Sequence, residues 1–278
     1  MKLYTIDTGL FKLDGGAMFG VVPKSIWNKL NAADEKNLCS WALRCLLVED
    51  ANRLVLIDAG LGNKQSDRFF SHYEPHGDAT LEGSLRKHGF SPTDVTDVLL
   101  THLHFDHCGG AIAHDSDGKS IAAFPNATYW SNKRHWNWAM HPNARERASF
   151  LKENFQPLQE WGMLKFLEEG DELMPGFTVR LAHGHTEAMM LPEIKYNDKT
   201  LVYVTDLMPS SAHVGLPYVM AYDVRPLVTM DEKKSFLDEA VVNDFVLFFE
   251  HDRVNECATL DRQEKGVRVR QTFRLEDW

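Results

Sequence analysis

The stretch Val98–Gly110, VLLTHLHFDHCGG, decides how this chain is read. Val98-Leu99-Leu100 is a short apolar run of the kind that forms a buried strand, and the Gly109-Gly110 pair marks a turn. Between them stand three histidines and one aspartate within six residues: His102, His104, Asp106 and His107. In an extended segment, side chains two apart share a face, so His102, His104 and Asp106 can converge. His107 then needs only a local bend to reach a second centre. Imidazole and carboxylate together suit zinc or a similar divalent ion. A single buried histidine more often makes an ordinary hydrogen bond than binds a metal. Four ligand-type residues at the end of a strand, where rigid scaffolds present their chemistry, point the other way.

The spacing His102-Leu-His104-Phe-Asp106-His107 resembles the His-x-His-x-Asp-His signature of the metallo-β-lactamase fold superfamily. The resemblance runs from about Leu46 to His251. It implies an α/β protein with the four-layer αβ/βα sandwich of that fold. It also carries ligand roles to individual positions. His102, His104 and His185, from the His-Gly-His-Thr segment at 183–186, would hold a first metal. Asp106, His107 and His251 would hold a second, and Asp206 would bridge the two. Asp58, a strand-terminal aspartate, would lie beneath the metal loop and support it. His183 stands where many relatives carry proline, so it is expected beside the site or facing solvent. The implied cofactor is two divalent ions, zinc first, with iron and manganese as alternatives.

The implied chemistry is hydrolysis of an ester-type bond by a hydroxide held between the metals. Asp206 would bridge, and Asp106 would pass a proton to the leaving group. Asp206 argues against a true β-lactamase, whose commonest forms place a cysteine at that position. Only 27 residues follow His251, too few for the long helical domain of glyoxalase II. What remains resembles the lactonase and organophosphate-hydrolase branch. Lactonases there carry a tyrosine three residues after the bridging aspartate, and this chain has Pro209. His213 and Tyr218 are the candidates to take over that substrate contact, set against a loop hydrogen bond and a packed ring. Leu207-Met208-Pro209 suggests a neutral or apolar small molecule. The other reading is a non-hydrolytic, iron-binding redox or oxygenase-type member of the same fold. No flavin domain is visible to support it.

The remaining sequence frames this site. A chain of 278 residues, 44% hydrophobic and 25% charged, can build one large domain. Its net charge of −10 disfavours a nucleic-acid partner, which needs a basic patch. No run approaches the roughly 20 apolar residues that span a bilayer, and Met1–Asp14 lacks a signal-peptide core. The four cysteines, Cys39, Cys45, Cys108 and Cys257, form no Cys-x-x-Cys pair. They read as free thiols of a reduced, cytoplasmic protein. The aromatic content is compatible with a homodimer.

Alternating or apolar runs predict strands at Met1–Leu13, Leu38–Val48, Leu54–Ile57, Thr128–Trp130, Glu172–Ala182, Leu201–Thr205, Phe245–Phe249 and Val267–Phe273. Helical spacing is expected over Asp78–His88 and Asp231–Asn243. Ala111–Phe124 reads as the start of a helix or a loop. Asp14–Gly20 reads either as a hairpin turn or as a loop at the mouth of the site, with Met18 and Phe19 as its apolar wall. Residues 131–169, with Trp136, Trp138 and Trp161, read as a helical lid inserted into a single domain spanning 1–278. Trp161 is expected in the core of that lid, and His135 and His141 on its surface.

Overall fold

The computed structural model describes all residues from Met1 to Trp278. The first half contributes strands β1 (Lys2–Asp14), β2 (Leu38–Asp50), β3 (Arg53–Ile57), β4 (Asp97–Leu99), β5 (Ile112–His114), β6 (Ser120–Ala122), β7 (Thr128–Ser131) and β8 (Leu164–Phe166). Six of them form a sheet in the order β1-β2-β3-β4-β7-β8, while β5 and β6 pair as a separate hairpin. The second half contributes β9 (Glu172–Met174), β10 (Phe177–Ala182), β11 (Met189–Tyr196), β12 (Lys199–Tyr203), β13 (Val246–Phe248), β14 (Cys257–Gln263) and β15 (Gly266–Phe273). These form one sheet, ordered β15-β14-β13-β12-β11-β10-β9. The helices are α1 (Gly15–Phe19), α2 (Lys24–Trp27), α3 (Asp67–Tyr73), α4 (Leu81–Lys87), α5 (Phe105–Cys108), α6 (Lys133–Met140), α7 (Gln156–Glu160) and α8 (Pro226–Val242).

Period-2 alternation explains the layering. In β3, Leu54 and Leu56 pack outward with Leu85 of α4 and Trp136 of α6. Val55 and Ile57 of the same strand face Val179, Leu201 and Phe248 of the second sheet. That sheet's other face puts Val202 and Leu247 against Phe236 and Leu237 of α8. The chain is therefore a helix–sheet–sheet–helix sandwich with apolar residues on both faces of each sheet, as strands buried on both sides require. Truncating a fully buried side chain between the sheets, such as Ile57, to alanine should cost about 2–5 kcal/mol.

Several expectations are corrected here. Ala111–Phe124 folds as the β5–β6 hairpin, closed by a turn in which the Gly118 amide donates to the Asp115 carbonyl at 3.0 Å. The segment after Asp14 is the short helix α1, because the Asp14 carboxylate caps it by accepting from the Ala17 amide at 2.8 Å. Trp161 lies 41% exposed instead of in a core. His135 is fully buried. No helix is long and apolar enough to cross a membrane, and all four cysteines are buried and unpaired.

Strands β10, β12 and β13 of the second sheet, with β3 and β4 of the first, all end near one edge of the sandwich. The side chains of the site stand just beyond these ends.

Candidate metal centre

Each residue of the cluster sits just past a strand. β4 delivers the 101–108 loop, β10 delivers His185, β12 delivers Asp206 and β13 delivers His251. The loop is held down by close backbone contact. A Cβ on Gly109 would lie 2.0 Å from the Leu61 carbonyl oxygen, and one on Gly110 would lie 2.1 Å from that of Ala59. Only glycine fits such an approach. Asp58 and Thr205 are held at φ 60° and 39°. For a β-branched threonine this is a strained conformation, placed directly before Asp206.

The structure brings together all seven residues expected to gather. One group is His102, His104, His185 and Asp206; a second is Asp106, His107 and His251, and every one of them is buried. Asp206 reaches both. Its Oδ2 lies 3.1 Å from His185 Nε2, 3.7 Å from His102 Nε2 and 3.5 Å from His107 Nε2. Its Oδ1 lies 3.3 Å from His251 Nε2. Asp106 Oδ2 lies 3.9 and 3.8 Å from the Nε2 atoms of His107 and His251. A cation held at about 2.1 Å by tetrahedral donors leaves those donors roughly 3.4 Å apart, and these separations bracket that value. His102 Nε2 and Asp206 Oδ1 are buried without a hydrogen-bond partner. Orphaned acceptors of this kind are costly unless a cation or donor joins them, so the donor set fits divalent metal.

The outward nitrogen of most of these rings is tied to the protein, which fixes its orientation. His185 Nδ1 pairs with Asp223 Oδ1 at 2.8 Å. His251 Nδ1 pairs with the Ala42 carbonyl at 2.7 Å, and His102 Nδ1 with the Thr101 hydroxyl at 3.2 Å. His107 Nδ1 faces Glu250 at 2.9 Å and Asp58 at 3.2 Å. His104 is turned the other way. Its Nδ1 faces His185 at 3.2 Å, and its Nε2 lies 3.6 Å from Glu146. Glu146 is itself gripped by Thr186 at 2.6 Å and Trp138 at 2.7 Å. Asp58 accepts from the amide and the hydroxyl of Thr101, each at 2.7 Å.

Electrostatics follow from this packing. Burial lowers His102 well below the usual histidine range, helped by the neighbouring imidazoles. Burial would also lower His185 and His251, but the Asp206 charge reverses it and pushes them up to about 10 and about 9. The same imidazoles hold Asp206 well below the usual carboxylate range against the cost of burial. Burial and nearby Asp58 push Glu250 up to about 8. The aspartate at the centre thus draws positive charge toward it.

A cavity of about 160 Å³ opens onto the cluster. His104, Asp106, His185, Asp206 and His251 form its floor, and its wall includes Met18, Tyr73, Phe105, Arg145, Met220 and Tyr222. Met18 stands where the loop-at-the-mouth reading put it. Three other expected substrate contacts lie elsewhere. His213 is fully buried, with Nδ1 on the Ser210 hydroxyl at 2.7 Å and Nε2 on the Met18 carbonyl at 2.9 Å. Phe19 stacks on it, centroids 4.7 Å apart, and Tyr218 packs edge-on to Phe19. None of the three lines the cavity. Phe19 is the last residue of α1, and His213 and Tyr218 pack against it from behind.

These observations agree with the family to which the sequence matches. Residues 44–251 match the metallo-beta-lactamase superfamily. The chain belongs to that superfamily. Among curated relatives, the N-acyl homoserine lactonase AiiA of Bacillus thuringiensis subsp. kurstaki is 25% identical over 195 residues, covering 66% of each chain, just under two thirds of the relative's length. A probable metal-dependent hydrolase from Staphylococcus aureus superposes with a TM-score of 0.89 at 27% identity, covering 98% of this chain and 96% of that one. AidC, a dizinc quorum-quenching lactonase, shares the fold with a TM-score of 0.78 at 24% identity, over 98% and 95%. The superfamily member described here therefore has lactonases and metal-dependent hydrolases as its relatives.

Cys108, beside the metal loop, is not part of the cluster. Its thiol contacts the Leu103 carbonyl at 3.4 Å. His183 is half-buried, and its Nδ1 accepts from the Ala188 amide at 3.2 Å. Glu146, Asp223 and Glu250 escape sequence reasoning altogether, because each meets its histidine across a long stretch of chain.

Proposed function

We propose that this protein is a dinuclear metal hydrolase that opens a lactone or cleaves a related ester-type bond in a small substrate. One observation carries the reading. Asp206 faces His185 with one carboxylate oxygen and His251 with the other, at 3.1 and 3.3 Å, and so joins two buried donor groups into one centre. His102, His104 and His185 would hold one ion, and Asp106, His107 and His251 the other, with Asp206 shared. Zinc is the proposed metal, and the nitrogen–oxygen donor set also accommodates iron or manganese. When bound, the two ions would acidify a shared water toward neutrality and polarise the acyl oxygen of the substrate.

The chain's own residues do the rest. The far-side bonds from Asp223, Ala42, Asp58 and Thr101 hold the imidazoles in place, so the centre is organised before substrate arrives. Asp106 lines the cavity floor. Its carboxylate would take a proton from the attacking water and return it to the departing oxygen. Met18, Phe105 and Met220 give the cavity apolar walls that exclude bulk water. Residues Arg145, Glu146 and Ser149 reach the cavity from the segment 131–169, which supports a lid role for that segment.

The test is kcat/KM of the zinc-loaded protein on an acyl γ-lactone and on an aryl phosphotriester, side by side. The reading expects turnover of the lactone above the phosphotriester. A folded protein carrying its full metal complement and inert to lactones, carboxylic esters and phosphotriesters would overturn it.

A further inference from the structure

In the lactonase reading, an acyl oxygen that gains charge during attack needs hydrogen-bond donors beside it. The expected position offers none, since Pro209 has no side-chain donor and lies off the cavity wall. The structure supplies donors from two other parts of the chain.

Tyr73, on α3, and Tyr222, in the loop before α8, both line the cavity with Asp106, Asp206 and His251. Neither hydroxyl has a hydrogen-bond partner within the protein, although nearby polar side chains such as Glu146 and Asp223 are fully engaged. Tyr73 is held through its ring and Tyr222, which is 39% exposed, through the backbone on either side of it. The Tyr73 ring packs on Phe105 and Phe69, centroids 4.6 and 4.9 Å apart. Tyr222 sits on a segment clamped on both sides. The Ala221 amide donates to the Ala17 carbonyl at 2.8 Å, the Val224 amide to the His185 carbonyl at 3.1 Å, and Arg145 to the carbonyl oxygens of Ala221 and Asp223. The same segment carries Asp223, the partner of His185. A phenol so placed, with no internal partner and no freedom of its backbone, is ready for a ligand oxygen.

We propose that Tyr73 and Tyr222 together donate hydrogen bonds to the substrate's acyl or departing oxygen, in place of the tyrosine that position 209 lacks. This rests on the hydrolase reading above and names the residues that make its transition-state contacts. The two phenols donate hydrogen bonds and keep their protons. No bond to either residue forms or breaks. Burial, with the Asp106 charge, pushes Tyr73 up to about 12, in keeping with that role.

The experiment compares Tyr73→Phe, Tyr222→Phe and the double variant with wild type and with Tyr196→Phe, at the end of β11 against Trp278. All are zinc-loaded and their metal content is counted. Two readouts are used: kcat and KM for γ-butyrolactone, and the Kd of its ring-opened product, 4-hydroxybutyrate, by calorimetry. The expected result is a fall in kcat of about tenfold for each single variant and about a hundredfold for the double. KM should change little, metal content should stay at two, and product Kd should rise at least threefold in the double variant. Tyr196→Phe should match wild type. A double variant within twofold of wild type in kcat and product Kd would overturn the proposal and leave the hydrolase reading intact. A loaded wild type that binds product but does not turn over the lactone would remove lactones from the substrates of the hydrolase reading, and the product Kd values would then decide the role of the phenols. A loaded wild type that does neither would overturn the proposal and, if carboxylic esters and phosphotriesters also stay uncleaved, the hydrolase reading with it.

Discussion

The floor and the wall of the cavity are neighbours built on opposite plans. The floor is made of side chains that stand at strand ends, are buried, and are tied from behind by a carboxylate, a hydroxyl or a carbonyl. The wall is assembled from α1, α3, the 131–169 segment and the loop before α8, and it keeps free hydroxyls and open apolar surface. The contrast teaches a division of labour. Metal chemistry needs donors fixed to within a fraction of an ångström, which two stacked sheets can provide. Choice of substrate needs surfaces that can differ without disturbing those donors, and loops and short helices provide that.

The largest effects should come from the floor. Asp206→Asn and His104→Ala should each lower hydrolysis by at least about 10⁴-fold and remove about one metal per chain while the fold persists. Elemental analysis and circular dichroism on the same samples check this. Residual activity above a hundredth of wild type would show that the two halves of the floor do not act together.

One step outward, the residues behind the histidines should matter less. Asp223→Asn and Glu146→Gln should weaken metal binding by about 10–100-fold, measured by competition with a chelator. Equal metal affinity in both variants would mean that the tied outer nitrogens are incidental.

The charge drawn to Asp206 gives a pH test of the floor. His185 and His251 are pushed up to about 10 and about 9, and His107 is held well above the usual histidine range by Glu250 and the aspartates against the cost of burial, so all three rings are expected to carry protons at neutral pH before metal binds. Metal must displace those protons. Apparent affinity should therefore rise with pH through the neutral range and level off only above about 9–10. Calorimetry in buffers of different ionisation enthalpy should show about three protons released per chain at pH 7.5, one from each of these rings. Uptake without proton release would contradict the assignment of these rings as ligands.

The smallest effects should come from the apolar side chains of the wall, as distinct from its two phenols. Met18→Ala and Met220→Ala should raise KM by about three- to tenfold with kcat nearly unchanged, because they remove contacts made equally to substrate and transition state. A large kcat loss there would erase the distinction between floor and wall.

The same division governs what the sequence makes legible. The His102–His107 cluster is local, so its chemistry is visible in six consecutive residues. His185, Asp206 and His251 follow from resemblance, since each stands alone in sequence. The supports from Glu146, Asp223 and Glu250 are invisible, because no local pattern marks a carboxylate that meets a histidine across the fold. His135 shows the same gap from the other side. It reads as a surface residue, yet its ring bridges the Leu103 amide at 2.8 Å and the Glu187 carbonyl at 2.6 Å. His213 misleads by proximity. It lies seven residues after Asp206, but its ring nitrogens are spent on the Ser210 hydroxyl and on the Met18 carbonyl of α1. Strand β11 gives no strand signal because Pro192 interrupts it. That proline sits beyond the end of the β12 ladder, where no amide is needed. Tyr222 is sixteen residues past Asp206 and Tyr73 lies on the other half of the chain, so only the folded molecule places them at one cavity.

A metal titration decides whether the two donor groups act as one shared two-metal centre. Metal-free protein would be given zinc in steps, with lactone hydrolysis and bound metal measured at each step. The account predicts that activity climbs to a break at two equivalents per chain, and that Asp206→Asn shows no such break. Full activity at one equivalent, or an unchanged break in Asp206→Asn, would contradict it.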